Sequence, residues 1–410
     1  MAESKPLFVE FHVLASHVPS NLNRDDLGTP KTAMFGGERR LRISSQCLKR
    51  TWRTSQYFRG ELAETELGVR TLRLPDLVFE RLGPDYDDRA RKGLEELFKA
   101  IGKKGGSGSG KGGEDDDGDE NEEASSGSTD GDDVATSGAI KTAHLLFLSR
   151  QEIDEIVAFA RTKATELSRV VKESKKKVTV DSDALKKVRA DLQKHLAETC
   201  SRNAVDVGLF GRFVTSDEIA TVDAALQVAH AIGTQKIDLE YDYFTAVDDL
   251  SNETGAGHLG ETEFAASVFY KYAVCNVPQL VGNLAGDVTL AARGLKALAQ
   301  AMARAVPIGK KNSTAPHNPA DYVEVILRRD APVSLANAFL RPVRPQGDKD
   351  VMDVSIERLR QQARKYDAAY GDEHIVGRFV LNLRGEEGNV ATLNELAKKL
   401  EAKLAEIGGA

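Results

Sequence analysis

The residues best suited to chemistry lie between Pro19 and Arg53, in PSNLNRDDLGTPKTAMFGGERRLRISSQCLKRTWR. Between Arg24 and Arg59 there are nine Lys or Arg against three acids. Cations at that density beside Ser and Gln suit phosphates, because charge-assisted N–H donors, hydroxyls and helix N-terminal N–H groups all favour an anion. Ser44 or Ser45 reads as the N-cap of a helix reaching Arg59, with Leu48 and Trp52 spaced i, i+4 on its apolar face. Lys49 and Arg53 share another face at i, i+4, with Gln46 one turn before Lys49. Upstream, Gly36-Gly37 marks a turn and Arg39, Arg40 and Arg42 a basic strand. The stretch predicts an anion-binding face; a solvated basic surface is the plain alternative.

Two acidic pairs are the candidates for catalysis. Asp25-Asp26 follows the first strand, and Asp248-Asp249 sits in AVDDL. Adjacent aspartates without a second cluster of carboxylates or histidines make a poor two-metal site. No metal, cofactor or catalytic residue is expected.

The elements that position these residues follow from periodicity. Leu7 to Ala15 alternates, with Leu7, Val9, Phe11 and Val13 on one face and Phe8, Glu10 and His12 on the other, which predicts a strand with one buried side. Asp87 to Ile101 and Gln151 to Glu198 read as helical, the second broken by β-branched residues near Lys177 to Val180. Ala220 to Ala231 also has helical spacing, whereas Ile237 to Val247 and Tyr322 to Arg328 read as strands, the latter followed by a short helix around Leu335 to Phe339. Strands interrupted by helices and long insertions predict an α+β fold.

The formal charge of −7 conceals a division. Eleven acids lie between Glu114 and Asp133, and removing them leaves +4 on the rest. They belong to a tract, 102–138, with no aromatic residue, which is expected to be disordered because it buries too little apolar surface to offset its backbone entropy. It reads as a tolerated insertion, or as an acidic mimic that screens a basic groove. Cys47, Cys200 and Cys275 are odd in number and far apart, so free thiols are expected. MAESKPLFVEF opens on a strand pattern and no run of apolar residues has membrane length, which predicts a cytoplasmic protein without membrane contact.

The stretch from Pro19 to Arg53 is similar to the N-terminal signature of the CasC family, the backbone-forming subunits of type I-E CRISPR Cascade complexes. VDAALQVAHAI at Val222, YFTAVDDL at Tyr243, HLGETEFAASVFYKYA at His258 and PVSLANAF at Pro332 agree in order. The acidic tract has no counterpart in the family pattern. The resemblance implies a right hand. Residues 1–60, 205–236 (as palm or web) and 268–410 would form a ferredoxin-like, RRM-like palm, 61–204 helical fingers, and 237–267 a β-hairpin thumb. It further implies copies stacked head to tail on CRISPR RNA (crRNA), other Cascade subunits as partners, and pairing of the exposed guide with target DNA. Guide contacts would fall at Arg24, Lys31, Ser44, Gln46, Lys49, Arg50 and Arg53. Phe213 and Phe244 would wedge around a displaced base, and Lys175, Lys176, Lys177, Lys186 and Lys187 would attract target duplex. Related type III backbones place a carboxylate for metal-dependent RNA cleavage near Asp25 and Asp26; type I-E backbones are not nucleases.

Overall fold

A computed structural model describes residues 6–101, 141–142, 144–174, 177–200, 203–214, 218–246, 258–385 and 388–408. The acidic tract, Lys175, Lys176 and Asp248-Asp249 lie outside them. The chain begins with β1 (Phe8–Ser20), the hairpin β2 (Thr32–Phe35) and β3 (Glu38–Ile43), then α1 (Ser45–Thr54) and α2 (Gln56–Arg59). Next come β4 (Gly68–Thr71), α3 (Leu74–Leu82), α4 (Asp88–Ala100), β5 (Leu146–Ser149), α5 (Arg150–Thr162) and α6 (Ala164–Val170). The hairpin β6 (Val171–Ser174) and β7 (Lys177–Val180) leads to α7 (Ser182–Thr199) and α8 (Val205–Phe210). Strands β8 (Leu226–Val228), β9 (Ala231–Gly233), β10 (Glu240–Ala246) and β11 (His258–Asn276) follow. The chain continues through α9 (Val277–Asn283), α10 (Val288–Arg304), α11 (Lys311–Thr314), β12 (Tyr322–Arg328), α12 (Val351–Tyr370), β13 (Ile375–Asn382) and α13 (Leu393–Gly408).

The first of two units holds residues 1–62, 226–281 and 288–410. Its sheet runs β13-β12-β1-β11-β9-β3-β2, with β8 and β10 also paired to β11. β1 is antiparallel to both β11 and β12, so those two run parallel on either side of it and are joined through α10. That is the split βαβ arrangement of a ferredoxin-like, RRM-like palm. The fold is therefore α+β, and β10 with the outer half of β11 is the expected hairpin, pairing Glu240 with Phe264 through Ala246 with His258.

β1 departs from expectation because both of its faces are buried. The expected solvent side, Glu10 and His12, is 0% exposed. A core of Leu14, Tyr270, Tyr322, Phe339, Met352 and Leu359 includes α12 and the segment before it, and these cover that face. The polar residues there find partners: Glu10 accepts from the Val333 N–H and His12 Nδ1 lies 2.8 Å from the Tyr270 hydroxyl. The segment read as a helix over 220–231 instead gives β8 and β9. Its apolar spacing is met by ladder bonds to β11, Leu226 opposite Cys275 and Ile232 opposite Tyr270. Tertiary pairing outweighs a weak local preference.

Two bases are buried in the palm. Lys271 is 1% exposed, no carboxylate pairs with it among the described residues, and burial lowers its pKa to about 8. His17 is held well below its ordinary value by burial and then by Lys271. For both, the unfolded chain binds more protons, so stability rises with pH: up to 6.5 for His17, and from about 8 to 10.5 for Lys271. We expect Lys271→Met to stabilise the fold by about 1–3 kcal/mol and to flatten the profile in the upper window. Thermal melts across pH check this, and an unchanged slope between pH 8 and 10 would refute it.

The second unit, residues 63–225 with 282–287, is mostly helical. The apolar faces of α3 to α7 meet in one core that includes Leu74, Leu94, Phe98, Ile156, Leu167 and Leu192. The strand break expected near 177–180 is the hairpin β6-β7. Residues 205–225, expected with the palm, group with this unit because α8 packs against β4 and β5, and Asp206 accepts from the Gly68 N–H at 2.7 Å.

Candidate nucleic-acid interface

The cation face is built on α1 and the loop before β2. Ser44 has extended backbone and its hydroxyl accepts from the Cys47 N–H, capping the helix. Cys47, Leu48 and Trp52 turn inward, which leaves Lys49, Arg50 and Arg53 on the other side. Arg50 is exposed and Lys49, Arg53 and Gln46 are half-buried. Ser55 ends the helix by donating to the Trp52 carbonyl and caps α2. The helix thus stops short of the expected Arg59.

The loop is held against β3. The Lys31 N–H donates to the Asn23 carbonyl, the Arg42 N–H donates to the Lys31 carbonyl, and Asn23 Oδ1 accepts from the Ser44 N–H at 2.8 Å. Lys31 is thereby brought to the N-terminal end of α1. His230, missed by the sequence reading, joins it: Nδ1 accepts from the Ser45 N–H at 3.0 Å and lies 3.5 Å from Arg42. Burial, then Arg42 and Lys31, hold its pKa below the ordinary value. Its membership of VDAALQVAHAI was the available signal.

Two expected participants are buried. Ser44 is 6% exposed and its hydroxyl accepts the capping bond, which leaves the O–H as a donor at the end of α1. Arg40, one of the three arginines of the basic strand, is 0% exposed and donates to the carbonyls of Gly233, Thr234 and Phe339. Asp25 is also engaged. Its carboxylate accepts from the Leu27 and Thr29 N–H groups and the Thr29 hydroxyl. Burial would raise its pKa, but the bonds from Thr29, Leu27 and Gly28 outweigh that and hold it low. Asp26 is exposed, and no group of three metal-ligating side chains occurs among the described residues.

On the hairpin, Phe244 is 44% exposed, and its ring lies over Gly260, where a Cβ would come within 2.3 Å of Cζ. Only glycine seats the ring there. In the second unit, Phe213 is 85% exposed beside an anchored neighbour: Arg212 donates to the carbonyls of Phe147 and Ala220 and pairs with Glu152. Lys186 and Lys187 are exposed on α7, and Lys177 stands in β7. Cys47 and Cys275 are buried and Cys200 half-buried, all as free thiols.

These features define an α+β protein with an RRM-like palm that presents a cation-bearing helical face. The chain belongs to the CT1975-like family, whose sequence model, described as "CT1975-like protein", matches residues 9–407. Among solved structures it is similar to a chain titled "CRISPR RNA-guided surveillance complex, pre-nicking", at 29% identity and a TM-score of 0.71, covering 97% of this chain and 99% of that one. A chain titled "CRISPR RNA-guided surveillance complex" is 24% identical at a TM-score of 0.61, with the same coverage, and shows the fold alone. No curated protein sequence matches. No helix among the described residues is long and apolar enough to cross a membrane.

Proposed function

We propose that this protein is a guide-RNA-binding backbone subunit of a type I-E CRISPR Cascade surveillance complex, working in the cytoplasm without catalysis of its own. The cation face of α1, with Lys31 and Arg24 on the adjoining loop, is the observation that carries it. It gathers several cations on one helical face and the loop beside it, which suits tracking of a phosphate backbone. Likeness over nearly the whole chain to a subunit of an RNA-guided complex supports the same reading. The engagement of Asp25 within its own loop favours a scaffold over an RNA-cleaving backbone subunit acting through Asp25 and Asp26.

Copies stack head to tail on crRNA beside other Cascade subunits. Residues 237–267 act as a thumb that lies over the RNA of the adjacent copy and displaces one base at regular intervals. The guide left exposed pairs with target DNA, and Lys186 and Lys187 on the fingers attract the duplex. Sequencing the RNA that co-purifies tests this: uniform guide-length RNA is expected, and heterogeneous RNA would sink it. Complementary RNA incubated with magnesium is expected to stay intact, and regularly spaced cuts lost in Asp25→Asn/Asp26→Asn would favour the nuclease.

Phe244→Ala is expected to leave the subunit folded, because the ring is 44% exposed on the hairpin, over Gly260, and outside the buried palm core. Chemical probing of bound RNA should then lose its regular displaced base. Unchanged periodicity would reduce Phe244 to scaffolding.

A further inference from the structure

At the root of the hairpin a further base, Lys310, joins Arg24 of the loop beside the α1 face. Lys310 Nζ donates to Thr262 Oγ1 at 2.8 Å. Thr262 is cross-strand from Asp242, and the pairing of Phe244 with Gly260 puts Phe244 two residues along on that same face. The 308–311 loop is pressed onto the 21–24 loop: a Cβ on Gly309 would stand 2.4 Å from the Leu22 carbonyl oxygen and 2.7 Å from that of Asn21. This brings Lys310 to Arg24. Asn21 ties the third segment in, its Nδ2 donating to the carbonyls of Gly28 and Glu263.

We propose that Lys310 and Arg24 form a phosphodiester seat at the root of the hairpin, on the Phe244 face, which holds the RNA backbone next to the base that Phe244 wedges. This rests on the RNA-binding reading above and adds a residue and a place to it. Two features point to a ligand rather than a brace. Lys310 has φ 44° and ψ 31°, a left-handed conformation that a non-glycine residue adopts at a cost, and here it aims a cation at the hairpin root. Its pKa is also lowered, by burial and then by Arg24, with Asp242 opposing. A phosphodiester oxygen set beside both cations offsets that repulsion. A threonine hydroxyl supplies a bond and no charge.

The test measures binding of two unrelated labelled single-stranded RNAs by the full chain across a salt series. Lys310→Met is expected to reduce the salt slope by about 0.7 for both RNAs, with Lys310→Arg restoring it. Thr262→Val, which breaks the 2.8 Å bond but keeps the cation, is expected to retain the slope. Equal losses in Lys310→Met and Thr262→Val, with lowered melting, would make Lys310 a brace and overturn the seat. An unchanged slope in Lys310→Met overturns it too. The Lys49→Ala/Arg53→Ala variant separates the two failures: if its slope falls while that of Lys310→Met does not, RNA binding stands without the seat. If neither slope falls, the RNA-binding reading fails as well.

Discussion

Arg40→Met is expected to cost on the order of 3–5 kcal/mol of stability, although it removes a buried charge. Burial depresses the guanidinium pKa, so the fold does work to keep it charged. What outweighs that work is the set of acceptors. Nη1 donates to the carbonyls of Gly233 and Thr234 at 3.1 and 2.8 Å, and Nη2 to that of Phe339 at 3.0 Å, with the Leu340 oxygen at 3.4 Å. Methionine fills the volume but leaves those carbonyls buried without donors, at about 1–3 kcal/mol for each one that water cannot reach. Lys271 carries no such set, which is why the same replacement has the opposite sign there. Arg40→Lys should recover little, since one ammonium cannot span carbonyls from two segments. Chemical denaturation measures the difference, with Arg39→Ala on the exposed side as a control close to wild type. An Arg40→Met variant as stable as wild type would show that the network contributes nothing net.

The largest effect on binding is expected from Lys49→Ala with Arg53→Ala. Each phosphate contact releases condensed counterion, so losing two should flatten the salt slope on single strands by about 1.4 and weaken unrelated sequences alike. Folding is spared, because both side chains stand away from Cys47, Leu48 and Trp52. Where copies bind side by side on one strand, a loss per subunit multiplies, so assembly on guide RNA fails while the monomer still melts normally. Binding across a salt series, followed by gel filtration with RNA, checks both. A loss confined to one sequence would identify a base-reading surface instead.

Local physics explains what could be read from the sequence. Helix α1 announces itself through its cap and the spacing of Leu48 and Trp52, so the direction of Lys49 and Arg53 follows without knowledge of the rest. The helices of the second unit are similarly legible. What stayed hidden depends on distant chain. Three arginines in one short strand look equivalent until residues 233–234 and 339–340 close over Arg40. Glu10 and His12 alternate like solvent residues because the layer that covers them comes from beyond residue 330. β8 and β9 exist only as partners of β11. Lys310 sits in a loop with no periodicity, and its neighbour Arg24 lies far away in sequence.

β11 carries a restriction on how this protein can change over time. One strand of 19 residues serves the palm at its inner end and the hairpin at its outer end, with a register irregularity where Ser20 of β1 meets Ala265. Side chains on a strand alternate, so adding or removing a single residue outboard of that point turns every later side chain to the opposite face. Phe244 would then share a side with the wrong cross-strand partner. Tyr241 and Tyr243, which stand opposite Glu263 and Glu261, would take its place above the basic root. Changes in hairpin length are therefore tolerated in matched pairs or within the tip, and the reach of the hairpin is adjustable only in steps of two residues, about 7 Å each.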